Sequence, residues 1–83
     1  MTTFTLNGKI YQYNSETARF RVQIGYVNKN NENIYNKSYM FLGPMQAMSW
    51  FNGFNVDDKH VKRLSYQPAY GCGWHGLVTI RGV

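Results

Sequence analysis

The sequence has few of the residues that build disulfide or metal scaffolds, and no long apolar run. Cys72 is the only cysteine among 83 residues, which excludes a disulfide within the chain and a cysteine-based zinc cluster. The longest apolar runs, such as Tyr39–Leu42, are far shorter than the roughly 20 residues that a membrane-spanning helix needs. With one free thiol and no secretory segment, we expect a protein of the cytoplasm that has no membrane partner.

Carboxylates are also scarce, and their positions do not predict catalysis. Four acidic residues oppose nine basic ones, for a net charge of +5. Asp57 and Asp58 are adjacent in a predicted loop, where aspartate normally serves a turn. Cys72, His75 and His60 could act as nucleophile and base or as metal ligands, but a closed zinc site needs four ligands and their spacing fits no standard pattern. We therefore expect no enzymatic activity, no cofactor and no metal.

A glycine pattern in the late part of the chain, Gly71-x-Gly73-x-x-Gly76, has the letters of a dinucleotide-binding fingerprint. That fingerprint opens a helix, whereas here the strand formers Leu77–Ile80 follow. The glycines therefore indicate a tight loop.

The chain is long enough for one hydrophobic core, since two cores would leave each below the size that folds unaided. The residues are 43% apolar and 17% aromatic, which excludes general disorder. We predict a single compact domain over residues 1–83.

Two central strands are predicted by composition and period. Residues 18–27 alternate between apolar and polar side chains, as in a half-buried strand, and residues 34–42 are rich in β-branched and aromatic residues. A two-residue turn at Asn30-Asn31 would join them and pair Lys29 with Glu32. The same register pairs Tyr26 with Tyr35, Val22 with Tyr39 and Phe20 with Phe41. A three-residue loop is the open alternative.

One short helix is predicted over residues 44–53. Pro44 suits the first helical position, and Asn52-Gly53 suits the end. Ala47, Trp50, Phe51 and Phe54 have the spacing of one apolar stripe. We expect Trp50 and Phe51 to pack against Phe20, Val22 and Ile24 of the first central strand.

The remaining strands complete the predicted fold. Phe4–Leu6 and Lys9–Tyr13 flank Asn7-Gly8, a strong hairpin signal, and Val61–Gln67 and Gly76–Arg81 form a final pair. The expected class is α+β, with an antiparallel sheet of about five to six strands and the helix on one of its faces.

Basic and aromatic residues predict a partner-binding surface. Single-stranded nucleic acid needs stacking faces and cations, and protein interfaces are enriched in tyrosine, tryptophan and arginine. The opposing interpretation is that the aromatic residues complete a small core and that the polar strand face is only solvated. The candidate residues are Arg19, Arg21, Lys59, His60, Lys62, Arg63, Tyr66, Tyr70, Trp74 and His75.

The order of a hairpin and then Ser49-Trp50-Phe51-Asn52-Gly53-Phe54 on a short helix resembles some small phage-encoded anti-CRISPR inhibitors. One such family has a helix ending in a Ser-Trp-Phe-x-Gly-apolar run. The resemblance covers residues 18–54 in layout. After residue 55 that family continues in helix where strands are predicted here, so no binding residue is carried over. The resemblance implies a compact, non-catalytic protein that blocks a nucleoprotein machine of the host.

Three functions follow from these observations. The first is an inhibitor that docks on a host protein or ribonucleoprotein complex such as a CRISPR effector, which places it in the host cell cytoplasm if it is phage-encoded. The second is direct binding of nucleic acid, and the third, which the residues favour least, is an enzyme using Cys72 or a histidine. A homodimer formed through an unpaired strand edge is compatible with a domain of this size.

Overall fold

The computed structural model describes residues 2–82, in which six strands and one helix follow the predicted order. The elements are β1 (Thr2–Leu6), β2 (Lys9–Tyr13), β3 (Arg19–Val27), β4 (Asn33–Phe41), α1 (Pro44–Gly53), β5 (His60–Gln67) and β6 (His75–Arg81). The predicted helix and the two predicted central strands are confirmed, each boundary to within one residue.

The α+β class is confirmed, and the strands divide into two antiparallel sheets. β1 and β2 form a two-stranded sheet, and the others form a four-stranded sheet in the order β4-β3-β5-β6. β3 is thus the central strand, paired with β4 on one side and with β5 on the other. β4 and β6 are the edges of the larger sheet.

The core lies between the larger sheet and a second layer made of α1 and the β1–β2 hairpin. β3 directs alternate side chains into it, because successive residues of a strand point to opposite faces. The buried members are Phe20, Val22 and Ile24 of β3, Leu64 and Tyr66 of β5, Ala47 and Phe51 of α1, Phe4 of β1, and Ala18. The helix therefore packs on one face of the sheet, as predicted.

The first hairpin forms as its turn residues predict. Asn7 and Gly8 both have positive φ, 51° and 81°, which is the geometry of a primed two-residue turn. The Phe4 ring meets those of Phe20 and Tyr66 edge-on, with centroids 5.6 and 5.4 Å apart. These contacts hold the hairpin against the larger sheet.

The predicted register of β3 and β4 is correct at one end and wrong at the other. Phe20 pairs with Phe41 and Val22 with Tyr39, as predicted. The register then shifts between Ile24 and Gly25. Tyr26 consequently faces Ile34, and the predicted Tyr26–Tyr35 pair does not form.

The turn between β3 and β4 is the three-residue alternative, so the predicted Asn30-Asn31 turn and the Lys29–Glu32 pair are wrong. The Asn28 amide donates to the Glu32 carbonyl at 3.0 Å, which leaves residues 29–31 in the loop. The Asn28 side-chain oxygen accepts from the amides of Asn30 and Glu32, both at 2.9 Å. Asn31 adopts the positive φ of 65° that closes such a loop.

The helix ends differently from the prediction. The residue after it, Phe54, is extended at φ −86°, and Gly53 does not take the left-handed conformation of a glycine stop. Phe51 enters the core as predicted. Trp50 packs against the core cluster that includes Phe20, Val22 and Ile24, and its ring also lies over β4, 4.6 Å from that of Tyr39 and 6.2 Å from that of Phe41.

Candidate binding surface

The face of the larger sheet that points away from α1 carries the main cluster of functional side chains. Arg19 and Arg21 alternate with the buried residues of β3 and therefore project from this face, and Arg63 on β5 shares it opposite Gln23. Trp74, just before β6, folds onto the same side. We call Arg19, Arg21, Arg63 and Trp74 the arginine face.

Arg21 is held in place by two contacts. Its guanidinium carbon lies 4.2 Å from the centroid of the Trp74 ring, and its Nε donates to Ser65 Oγ at 3.4 Å. Ser65 is fully buried although it belongs to the polar side of β5. A guanidinium fixed on an indole presents a flat cationic platform, on which a base, a phosphate or a carboxylate can lie.

Arg63 brings a second positive charge close to the first. Burial lowers the pKa of Arg21, and the nearby charge of Arg63 lowers this pKa further. Gly76 makes room for the second guanidinium, because a Cβ atom there would lie 2.9 Å from Arg63 Nη2. Two cations that repel each other are unfavourable for the isolated fold, and an anion placed between them would relieve the repulsion.

Among residues 2–82, no carboxylate side chain lies on the arginine face. The four acidic residues of the chain, Glu16, Glu32, Asp57 and Asp58, all lie in connections between regular elements. The guanidinium groups therefore keep their positive potential for a ligand that comes from outside.

Lys62 was predicted to bind a partner and does not reach the surface. Its side chain is 6% exposed, points to the core side of β5, and donates through Nζ to the carbonyls of Phe51 and Phe54, the latter at 2.8 Å. The ammonium also lies 4.3 Å from the Phe51 ring centroid. Burial lowers the pKa of Lys62. Its role is to close the end of α1, where carbonyls have no partner within the helix.

Replacing Lys62 with methionine is expected to lower the free energy of unfolding by about 2 kcal/mol, since two helix-end carbonyls lose their donor while the apolar stem is kept. Urea unfolding followed by circular dichroism measures this. Lys9→Met, at an exposed position on β2, is the control and should change stability by less than about 0.5 kcal/mol. Equal losses in the two variants would contradict the capping role.

Tyr66 is the second predicted contact residue that the structure buries. It is 7% exposed, and its ring stacks on Phe20 at 5.7 Å. Burial raises the pKa of Tyr66, and the neighbouring Tyr11 adds to the rise. The interpretation of Tyr66 as a core residue is therefore correct, and its prediction as a contact residue is wrong.

The other predicted residues divide between two ends of the molecule. His60 begins β5 and Lys59 precedes it; both are exposed, about 20 Å along the strand from the loop that carries Tyr70 and Trp74. Tyr70 is 89% exposed in that loop, and His75 is exposed opposite Tyr66, on the core side of the sheet. The structure thus brings together Arg19, Arg21, Arg63 and Trp74, and separates Lys59 and His60 from them.

Ser65 and Gly76 were missed in the sequence. Both serve the arginine face, one by bonding Arg21 and the other by leaving space for Arg63. The alternation of Arg63, Ser65 and Gln67 along β5 would have placed Ser65 on this face. For Gly76 the sequence holds no comparable signal, because the contact depends on how β6 pairs with β5.

Two further kinds of feature are absent from residues 2–82. No group of three or more histidine, cysteine, aspartate or glutamate side chains is gathered there that could hold a metal ion. In the same range, no helix is long and apolar enough to cross a membrane.

Comparison of the sequence with models of known protein families, with curated proteins and with solved structures finds no match.

Proposed function

We propose that the protein is a non-catalytic binding protein of the cytoplasm that docks through the arginine face on an anionic surface of a host protein or ribonucleoprotein complex and blocks it. The observation that carries this proposal is the pair Arg21 and Arg63, which are close enough to repel and have no carboxylate side chain on their face within residues 2–82. Such an arrangement is unfavourable until an anionic partner neutralises it.

The kind of partner follows from the chemistry of the face. Guanidinium groups bind carboxylates and phosphates in two-pronged geometry, and Trp74 adds a flat apolar surface beside them. Acidic protein segments and the phosphates of a nucleoprotein meet both requirements. Inhibition of a complex such as a CRISPR effector is what the resemblance in residues 18–54 adds to this proposal.

Direct binding of single-stranded nucleic acid is the second candidate, and the Arg21–Trp74 stack favours it. Aromatic rings beside cations bind bases and backbone together. This function requires an affinity that falls steeply with salt, since each phosphate contact releases a counterion.

Affinity capture from host lysate separates the two candidates. The tagged protein is incubated with lysate that has been treated with nuclease or left untreated. A stoichiometric protein partner that survives nuclease supports the docking function. Recovery of nucleic acid alone, lost after nuclease, supports the second candidate. No retained partner in either lysate would contradict both.

A further inference from the structure

The outward side of β4 and α1 is the least charged part of the protein. Between Asn33 and Val56 the sequence holds one charged residue, Lys37, and every other charge lies outside this segment. Helix α1 has no acidic residue in its first turn and no basic residue in its last. The segment is nevertheless at the surface, and we call it the uncharged surface.

Large apolar side chains are exposed on the uncharged surface. Leu42 is 67% exposed and Met45 73%, and Met40, which is 56% exposed, projects on the side of the sheet away from α1 because it pairs with Arg21. A groove of about 770 Å³ follows between the helix and the strand, lined by Phe41, Gln46, Ser49, Trp50, Gly53 and Phe54. Few charges combined with aromatic residues and methionine are the composition of protein interfaces, whereas solvated surfaces are richer in charge.

β4 is also an open edge. It pairs with β3 alone, so its outer backbone amides and carbonyls have no partner in the sheet. Edge strands are usually protected from further pairing by charges, proline or bulges. In β4, Lys37 is the only charged residue, and the register shift lies before it. The run Lys37–Phe41 therefore pairs regularly with β3, and its middle residues are exposed.

We infer that a second copy of this chain pairs with β4 across a two-fold axis at Ser38. Two molecules that each carry +5 repel, and the uncharged surface is where they can meet with the fewest opposed cations. In a two-fold antiparallel pair centred on Ser38, Lys37 of each copy faces Tyr39 of the other copy. The only charge of the segment then lies against an aromatic ring on both sides of the axis.

The size of a stable interface indicates which elements must take part in the contact. A stable interface covers about 800 Å² on each partner, roughly a seventh of the 5500 Å² that the chain exposes. Strand pairing alone covers less than this, and α1 lies beside β4, where Trp50 contacts Tyr39 at 4.6 Å. Met45 and the groove of the helix would supply the rest of the contact on the α1 side of the sheet.

The proposed dimer would extend the sheet without a break through both copies. A two-fold axis perpendicular to the sheet keeps equivalent faces on the same side, so the two arginine faces would lie together on one surface. Ser38 and Met40 project on the same side of the sheet as Arg21, so the dimer is tested with no partner present, where the proposed function plays no part.

Sedimentation equilibrium and a lysine substitution test the pairing. The wild-type chain of 9.7 kDa is expected to sediment with twice that mass. Ser38→Lys places like charges directly opposite each other at the axis and should weaken the dimer by at least about tenfold. Thr5→Lys, at an exposed position of β1, adds the same charge and should leave the dimer intact. A wild-type monomer up to about millimolar concentration, or equal dimerisation of both variants, would overturn the inference.

A disulfide provides a readout that does not depend on the stability of the lysine variant. In a Cys72→Ser background, Ser38→Cys brings two cysteines together at the axis, within the range that a disulfide bridges. Rapid formation of a covalent dimer on mild oxidation is expected for Ser38→Cys and not for Thr5→Cys. Equal cross-linking of the two variants would contradict pairing at Ser38.

Discussion

Replacing Gly25 with alanine is expected to destabilise the protein by about 3 kcal/mol or more. Gly25 lies at the register shift between β3 and β4. A Cβ atom there would overlap the carbonyl oxygen of Ile34 and lie 2.7 Å from the Cα of Tyr35. Both obstacles are backbone atoms of a paired strand, so relief requires the strands to separate.

Gly53→Ala is the matched control for this substitution. Gly53 ends α1, and a Cβ atom there would meet nothing within 4 Å. Alanine should leave stability unchanged or raise it by about 0.5 kcal/mol, because it has the higher helix propensity. Thermal and urea unfolding of the two variants measure the difference. A Gly25→Ala variant as stable as Gly53→Ala would show that the strands do not approach closely at the bulge.

Replacing Arg63 with glutamate is expected to weaken binding of the captured partner by at least about 30-fold, or roughly 2 kcal/mol. Without a partner, the variant should be no less stable than the wild type. In the wild type Arg63 repels Arg21, whereas a glutamate at position 63 would attract it. This combination, weaker binding with unchanged stability, is expected because the repulsion between Arg63 and Arg21 disfavours the fold and serves only the partner.

Two further variants make the measurement specific. Lys9→Glu changes the net charge by the same amount on the other layer of the molecule, and we expect less than about threefold weaker binding. Arg21→Lys keeps the charge and removes the planar group that lies on Trp74, so it should weaken binding although the charge is unchanged. Titration by calorimetry or surface plasmon resonance compares the three variants. Equal losses for Arg63→Glu and Lys9→Glu would indicate a general charge effect and contradict the arginine face.

Much of the fold could be predicted because strong local signals agree with the tertiary contacts. The alternation of Phe20, Val22 and Ile24 defines the buried side of β3, and Asn7-Gly8 and Pro44 mark a turn and a helix start. The β3–β4 turn was predicted wrongly for a local reason. The Asn28 side chain bonds two amides of the loop and so stabilises a three-residue turn, a contact that does not show in residue spacing.

The candidate site was predicted less well, because charge alone does not show which face of a strand a residue occupies. Lys62 was grouped with Arg63, its neighbour in sequence, although the two point to opposite sides of β5. The period of that strand sets Lys62 in phase with Leu64 and Tyr66, which are buried. Trp74 could be placed on Arg21 only once the order of β3, β5 and β6 was known, since the two residues are distant in the chain.

Chemical footprinting of arginine shows whether the partner binds on the arginine face. A dicarbonyl reagent modifies exposed guanidinium groups, and mass spectrometry gives the rate for each arginine in the free protein and in its complex. The reference is a free peptide with one arginine, added to both samples, because Arg81 lies on the same side of the sheet as Arg63. We predict that Arg21 and Arg63 react several-fold more slowly in the complex while the reference peptide is unchanged. Unchanged rates at Arg21 and Arg63 in a saturated complex would contradict binding on this face.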